Sequence, residues 1–310
     1  MREKTSQIID EIKKVICGKD EVVRLVLQSV LSGGHVLMED VPGVGKTTMA
    51  LAFARTMGMD YGRVQFTPDV LPSDITGFSL LDQETRTMKY QKGAVFHNLF
   101  LADELNRASS RTQSALLEAM EEGQVTVDDQ TYPLPKPFVV IATQNPSGAS
   151  GTSLLPDSQM DRFAIRISMG YPSPDNEIEM LMNRQNGANP LSEIHPICTV
   201  EDIVKMQEET SKMYVKLRVM KYIVALMDRT RNHKSLSRGG SPRATLALTA
   251  MAKAHAYMTD RDYVIPDDVQ AVFSAVMSHR ILLTPEAEVK EIRTADIAKE
   301  IIKTTAIPKE

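Results

Sequence analysis

The residues best suited to chemistry lie in a glycine-containing loop of this 310-residue chain. The loop follows the short apolar run 36–38 and leads into a segment of good helix formers. Gly43 and Gly45 let backbone N–H groups approach a triphosphate, Lys46 can reach its β- and γ-phosphates, and the Thr47 hydroxyl can ligate Mg²⁺. The helix that follows directs its positive end at the same phosphates. The predicted phosphate-binding residues are Pro42, Gly43, Val44, Gly45, Lys46, Thr47 and Thr48.

Two adjacent carboxylates end a second apolar run. Leu-Phe-Leu-Ala at residues 99–102 reads as a buried strand, and Asp103 and Glu104 follow it. Asp103 can hold Mg²⁺ through water and complete the shell that Thr47 begins, while Glu104 can orient and deprotonate an attacking water. Alternatively, the two acids only cap the next helix, because acidic residues favour helix N-termini. The loop upstream favours the metal and base assignments.

With these two motifs the chain resembles the AAA+ ATPases, and within them the MoxR family. Four further segments, in the family's order, carry the resemblance: residues 70–77, 143–146, 154–163 and 240–244. In these segments Asn145 corresponds to sensor 1, Arg162 to the arginine finger and Arg243 to the sensor 2 cation. The resemblance runs from about residue 16 to residue 272. Asp40 is its one departure at the loop, because it occupies the position of the first glycine.

The resemblance implies an α/β fold with two parts. An AAA+ P-loop core with a parallel five-stranded sheet flanked by helices is expected at residues 1–175, and an all-α lid carrying sensor 2 at residues 176–310. ATP and Mg²⁺ would lie in the cleft between core and lid, with the turn at Ile16 and Gly18 against the adenine. Lys46, Asn145 and Arg243 of one chain would contact the γ-phosphate.

A ring follows from the same resemblance, because Arg162 would be supplied by a neighbouring subunit. The implied assembly is a hexamer, and the implied partner is a protein client with a von Willebrand factor A-domain adaptor. Glu104, Asn145, Arg162 and Arg243 would be the catalytic residues, and Thr47 and Asp103 the metal ligands.

The residues support this layout independently of the resemblance. Apolar runs at 64–66, 99–102, 138–142 and 165–169 are separated by helix-length connections, which predicts a parallel sheet covered on both faces. The breaker cluster 171–176 predicts the end of the core, and only helical patterns follow it. Ser241 and Pro242 place Arg243 in the first turn of a helix, where a cation opposes the dipole. Arg243 should therefore have an anionic partner, such as the nucleotide phosphates.

Two stretches lack the pattern of the helices that connect parallel strands, and each is predicted to form a hairpin. Residues 78–90 alternate around a turn, and residues 125–132 place two aspartates at a turn. In the resembled family these are the helix-2 insert, at about 70–95, and the hairpin before sensor 1, at about 124–135, which face the pore of the ring. Two solvated surface loops are the alternative.

Composition narrows the class of partner. The formal net charge is −4, so no global basic field favours nucleic acid.

The first residues lack a signal-like apolar region and no apolar run approaches the ~20 residues that span a bilayer, so a cytoplasmic protein is expected. Basic residues of segment 212–238 form either a solvated helix face or a polyanion site.

These observations predict an ATPase that uses hydrolysis to remodel, activate or assemble a partner protein. A magnesium-chelatase-type subunit and a nucleic-acid-directed motor of the same superfamily share the motifs and stay open. A nucleotide-gated binding module that does not hydrolyse ATP also stays open, unless Glu104 acts as a base.

Overall fold

A computed structural model describes residues 1–145, 155–187 and 189–307. The strands are β1 (Val36–Glu39), β2 (Tyr61–Gln65), β3 (Gly77–Leu81), β4 (Met88–Lys92), β5 (Leu99–Asp103), β6 (Gln124–Val127), β7 (Gln130–Pro133), β8 (Val139–Gln144), β9 (Ile165–Ile167), β10 (Tyr214–Val215), β11 (Leu236–Arg238), β12 (Tyr263–Val264) and β13 (Leu282–Leu283). The α-helices are α1 (Glu3–Lys13), α2 (Asp20–Leu31), α3 (Lys46–Thr56), α4 (Pro72–Thr76), α5 (Ser110–Glu122), α6 (Asp157–Met160), α7 (Pro174–Met182), α8 (Val200–Ser211), α9 (Leu217–Arg231), α10 (Pro242–Met258), α11 (Pro266–Met277), α12 (Pro285–Val289) and α13 (Thr294–Thr304).

The centre of the molecule is the predicted five-stranded parallel sheet, with strand order β2-β5-β8-β1-β9. Every residue of β5 and β8 is buried, as expected of parallel strands covered on both faces. Side chains alternate between the faces, so Leu99 and Leu101 join one apolar cluster while Phe100 and Ala102 join the other. The first cluster contains α1, α2, α3 and helices from beyond residue 200, and the second contains α5.

The part of the chain after the sheet is helical, as predicted, with two short additions. β10 pairs with β12, and β11 pairs with β13, each through two residue pairs. Strands this short cannot show the alternation of apolar and polar residues that indicates a β-strand, so the sequence predicted only helices in this region. The division at residue 175 stays a prediction, because helices from both sides of it share one apolar cluster.

Both predicted hairpins are present. β3 and β4 pair antiparallel, as do β6 and β7, whose turn residues Asp128 and Asp129 have φ of 49° and 61°. The rings of Tyr90 and Tyr132 stack with centroids 3.8 Å apart, which joins the two hairpins into one unit. Leu81 and Met88 face each other across β3 and β4 and are exposed.

None of the helices that the structure describes combines the length and the apolar composition that crossing a bilayer needs.

Candidate nucleotide site

The predicted phosphate loop joins the end of β1 to α3. Gly43 and Gly45 have φ of 86° and 96°, a region that disfavours residues with a Cβ, and Gly45 is the N-cap of α3. Val44 instead packs half-buried against the first apolar cluster. The loop opens into a pocket of about 300 Å³, lined by Pro42, Gly43, Gly45, Lys46, Thr47, Thr48, Asp103, Glu104 and Asn145.

Lys46 lies at the centre of this pocket and is buried. Its Nζ donates to the backbone oxygen of Asp40 at 2.8 Å and to Oδ1 of Asn145 at 3.3 Å. Burial lowers the pKa of the Lys46 ammonium, and neighbouring carboxylates, with Asp40 first, oppose that shift. The structure therefore brings together the predicted phosphate lysine and the predicted sensor 1 residue, which are 99 positions apart in the chain.

Asp40 has a structural role that explains its departure from the usual glycine. Its carboxylate accepts hydrogen bonds from the Ser168 hydroxyl at 2.9 Å, from the backbone N–H of Gly170 at 3.1 Å and from that of Met169. These contacts attach the start of the phosphate loop to the segment that leaves β9. A glycine at position 40 could not make them.

The two predicted carboxylates are held by different partners. Asp103 accepts from the Thr143 hydroxyl of β8 at 2.7 Å and from Arg63 of β2 at 2.8 Å, two strands that flank its own. Thr143 also accepts the backbone N–H of Glu104 at 2.8 Å. One hydroxyl thus fixes both members of the pair.

Glu104 stands in the left-handed region, with φ of 57°. Its Oε2 accepts from Arg107 at 2.7 Å and its Oε1 from Asn145 at 3.2 Å. The Arg107 guanidinium, with smaller contributions from Asn145 and Gln65, holds the pKa of this carboxyl below its usual range. Glu104 is the N-cap residue of a 3₁₀ turn at Leu105–Arg107, but among the described residues its side chain makes no capping hydrogen bond. Helix α5 is capped by Ser109, so the structure does not support the capping alternative.

The two predicted arginines lie elsewhere. Nε of Arg162 donates to Oε2 of Glu121 at 2.8 Å, and Arg243 forms an ion pair with Oε1 of the same carboxylate. Glu121 lies in the last turn of α5, directly after Met120, whose carbonyl accepts a hydrogen bond from the ring of His35 just before β1. Arg162 also lies close to the start of β1, because Ala164, two residues after it, donates its N–H to the carbonyl of His35.

This placement puts the arginines and the phosphate loop at opposite edges of the sheet. β1 and β9 are parallel, so the residues before them share one edge, and the loop after β1 lies at the other, roughly 15 Å away along the strand. In this structure Arg243 therefore lies away from Lys46 and Asn145, and its contact with the γ-phosphate of the same chain stays a prediction. The anionic partner of Arg243 in this structure is Glu121.

Comparison with known proteins agrees with this architecture. Residues 35–165 match the model of the ATPase family associated with various cellular activities (AAA), and residues 228–301 match the AAA lid domain. The chain is 40% identical to Chaperone MoxR1 of Mycobacterium tuberculosis, over 97% of this chain and 81% of the relative. It is 31% identical to Protein MoxR of Paracoccus denitrificans, over 88% and 87% of the two chains. This chain belongs to the MoxR family of AAA+ ATPases.

A solved structure supports the same conclusion. A candidate ATPase from Cytophaga hutchinsonii superposes with a TM-score of 0.91 and 39% identity, covering 99% of this chain and 96% of that one. The likeness therefore extends over the AAA+ core and the helical lid together.

The adenine side of this MoxR-family site rests on the resemblance. Ile16 is buried in the first apolar cluster, and Gly18, with φ of 66°, lies against the side chain of Asn176. Lys19 donates to the carbonyl of Tyr171 at 2.9 Å. The turn thus packs against the start of α7, next to the segment that Asp40 holds, but it does not line the phosphate pocket. Its contact with adenine stays a prediction.

Several site residues of this MoxR-family chain gave no sequence signal. Arg280 is 4% exposed and donates to Asp161 at 2.6 Å and to the carbonyls of Phe163 and Ala164, which fixes the turn carrying Arg162. A single arginine in the sequence does not reveal that it is buried, because most arginines lie on the surface. Arg63, Arg107 and Glu121 are likewise recognisable only through their partners. Pro146 and Leu154, from two predicted motif segments, lie outside the described residues.

Proposed function

We propose that this chain hydrolyses ATP in a ring of identical subunits and uses the reaction to remodel, activate or assemble a partner protein. The observation that supports it is the separation just described. Phosphate-binding, metal-binding and base residues form one network within the chain, whereas Arg162 and Arg243 are gathered around Glu121 at the opposite edge.

The pocket fits a nucleoside triphosphate with a divalent cation. Lys46 and the N–H groups around Gly43 and Gly45 would hold the β- and γ-phosphates. Thr47 and Asp103 are oxygen ligands of the kind that Mg²⁺ prefers, and the ion would neutralise charge between the phosphates. Thr47 and Asp103 line the same pocket, so oxygen ligands suited to a divalent cation lie together there.

Glu104 is placed to act on water. The lowered pKa keeps its carboxylate ionised at neutral pH, and Asn145 and Arg107 fix its orientation. Each carboxylate oxygen has a second lone pair free for a water hydrogen. Glu104 would orient that water in line with the γ-phosphate and accept its proton, while Asn145 contacts the phosphate from the side of Lys46.

The arginines complete the site only between subunits. Two head-to-tail copies would bring the arginine edge of one chain to the phosphate loop of the next, and a heterologous contact of this kind closes into rings. We therefore assign both Arg162 and Arg243 to the neighbouring subunit's site. Six subunits are the number that the family resemblance implies.

The joined hairpins are the proposed contact with the client. They carry exposed Leu81 and Met88 and have no residue in the phosphate pocket. The relative from M. tuberculosis is named a chaperone, which supports a protein client, and the family resemblance adds an adaptor with a von Willebrand factor A domain.

Two substitutions test the proposed chemistry. Lys46→Ala should weaken ATP binding by at least ~100-fold, since a charge-assisted contact is lost. Glu104→Gln should keep ATP affinity and lower turnover on the order of 10²- to 10⁴-fold. Glu122→Gln, on an exposed glutamate of α5, is the matched control and should hydrolyse ATP normally. Wild-type turnover by Glu104→Gln would remove the base assignment and favour the binding-module alternative.

A capture experiment tests the client. Glu104→Gln should retain a protein from cell extract with ATP but not with ADP, because only state-dependent contacts can drive a switch. Replacing residues 126–131 by a Gly-Ser linker should abolish that retention. Equal recovery with both nucleotides, or recovery of nucleic acid that nuclease removes, contradicts the remodelling function and favours the motor alternative.

A further inference from the structure

Helix α7 presents an apolar stripe to solvent. Ile178, Leu181 and Met182 lie at helical spacing and are 55%, 71% and 63% exposed, and no residue of α7 is buried among the described part of the chain. Asp175 and Glu177 precede the stripe. The opposite face contacts the turn at residues 16–18, through Asn176 against Gly18 and Asn183 near Cys17. An amphipathic helix with its apolar side outward calls for a covering partner.

A groove elsewhere on the surface has the complementary character. It is about 580 Å³ in volume and lies between the end of α2, α8 and α10. Its apolar lining includes Leu31, Val204, Leu246 and Ala250, with Leu246 73% exposed. Lys136 and Lys253 stand on its rim together with one acid, Glu208.

The groove adjoins the arginine edge of the sheet. Gly33, Leu246 and Ala250 line both the groove and the neighbouring depression that contains Arg162 and Arg243. Helix α7, in contrast, begins just after the segment that Asp40 attaches to the phosphate loop. The two surfaces therefore belong to the two faces that a head-to-tail contact would join.

We propose that α7 of one copy docks into this groove of the next copy. The inference rests on the proposed function, because it uses the head-to-tail ring in which arginines serve the neighbour's phosphate loop. In that contact the stripe Ile178, Leu181 and Met182 covers Leu246, and the acids of α7 face Lys136 and Lys253. Burial of the stripe supplies the attraction, and the charges fix the direction of the contact.

A disulfide experiment tests the contact. Leu181→Cys and Leu246→Cys, each in the Glu104→Gln chain, are mixed with ATP and Mg²⁺ and then oxidised. Native Cys17 and Cys198 are free and buried, so the parent chain should not cross-link. We expect a reducible dimer from the mixture and much less from either variant alone. Leu181→Cys mixed with Leu217→Cys is the matched control, because Leu217 of α9 is 66% exposed but lies outside the groove.

Assembly measurements give a second readout. Leu246→Asp should weaken ATP-dependent ring formation, measured by analytical ultracentrifugation, by roughly 100-fold, and Leu217→Asp should change it little. Glu177→Lys and Lys253→Glu should each weaken assembly by about tenfold, and the double variant should recover part of the loss. Because Leu246, Leu217 and Glu177 are exposed and Lys253 is half-buried, circular dichroism should show that the variants fold. Equal effects of Leu246→Asp and Leu217→Asp would overturn the proposal.

The outcomes separate this inference from the proposed function. Suppose that mixing Lys46→Ala with Arg162→Ala restores ATP hydrolysis while Leu181→Cys with Leu246→Cys cross-links no better than the control pair. The docking proposal is then overturned and the shared ATPase site stands. Specific cross-linking without any restored hydrolysis supports the docking contact and counts against the trans-acting arginines.

Discussion

The two edges of the central sheet show two ways of building a site. At the carboxyl edge, Lys46, Asp103, Glu104 and Asn145 are connected by hydrogen bonds within one chain. At the amino edge, Arg162 and Arg243 meet at a carboxylate of their own chain, that of Glu121. In the proposed function, the first edge binds ATP and Mg²⁺, and the second supplies cations to the neighbouring subunit.

This difference assigns different jobs to the two edges. A cation held by an internal carboxylate is ordered before it meets its target, which reduces the entropy lost when it transfers to a phosphate. Glu121 also keeps two positive charges together on a surface where they would otherwise repel each other. In the proposed function, the edge that binds nucleotide is therefore complete within one chain, whereas the edge that promotes hydrolysis acts on an adjacent chain.

The largest expected effect is at the arginine edge. Arg162→Ala should bind ATP normally and lose turnover on the order of 10³- to 10⁵-fold, the range measured for arginine fingers. Mixing it with Lys46→Ala should restore part of the activity, because some interfaces then pair an intact loop with an intact finger. Turnover is measured in mixtures shown by sedimentation to contain mixed rings. If such rings stay inactive, Arg162 is not the finger, and Arg107 and Arg111 become the candidates.

The next prediction asks whether Arg243 serves its own loop or the neighbour's. Arg243→Ala should lower turnover about 10²- to 10³-fold, as does the loss of one donor to a developing charge. Because Arg162 and Arg243 share Glu121, both should act on the same neighbouring site. Mixing Arg162→Ala with Arg243→Ala should then restore nothing, since every arginine edge in the ring is defective. Recovery in this mixture would show that Arg243 acts within its own chain.

The sequence predicted the carboxyl edge better than the amino edge, for a physical reason. Parallel strands end at a common edge, so apolar runs followed by polar residues predict that Lys46, Asp103 and Asn145 converge. No comparable rule locates Glu121, which is one of two glutamates at the end of a helix. The buried environment of Arg280 and the short ladders β10–β12 and β11–β13 also depend on packing between distant segments. Asp40 was visible as a departure, but its partners are about 130 residues away.

A stability prediction sharpens the view that the carboxyl edge is self-contained. Asp40→Gly restores the usual loop residue but removes the acceptor for Ser168, Met169 and Gly170. Losing a charged acceptor and leaving buried N–H groups unpaired should lower the free energy of unfolding by about 2–4 kcal/mol. Urea denaturation measures the change. Asp69→Gly, at an exposed aspartate, is the control and should cost less than about 1 kcal/mol. Equal losses would mean that Asp40 does not tie the loop to β9.

The smallest expected effect is a loss of stability at the amino edge of the sheet when the pH is lowered. His35 is buried between β8 and α5: the N–H of Val140 donates to its Nδ1 at 3.0 Å, so its Nε2–H donates to the carbonyl of Met120 at 3.1 Å. Burial lowers the pKa of His35 to about 4. Between an unfolded pKa of about 6.5 and the folded value, only the unfolded chain takes up the proton, so stability falls as pH falls through that window.

From pH 7 to pH 5 this single group should cost about 2 kcal/mol of unfolding free energy. His35→Gln removes the titration, so urea denaturation of the variant should show a loss between these pH values that is smaller by that amount. Some acid sensitivity should remain, because His279 is also buried, donates to the carbonyl of Phe163 and has a pKa far below its usual value. Both histidines hold segments next to Arg162. Acid should therefore loosen the arginine edge before the phosphate loop, and an unchanged pH dependence in His35→Gln would show that this edge carries no such sensitivity.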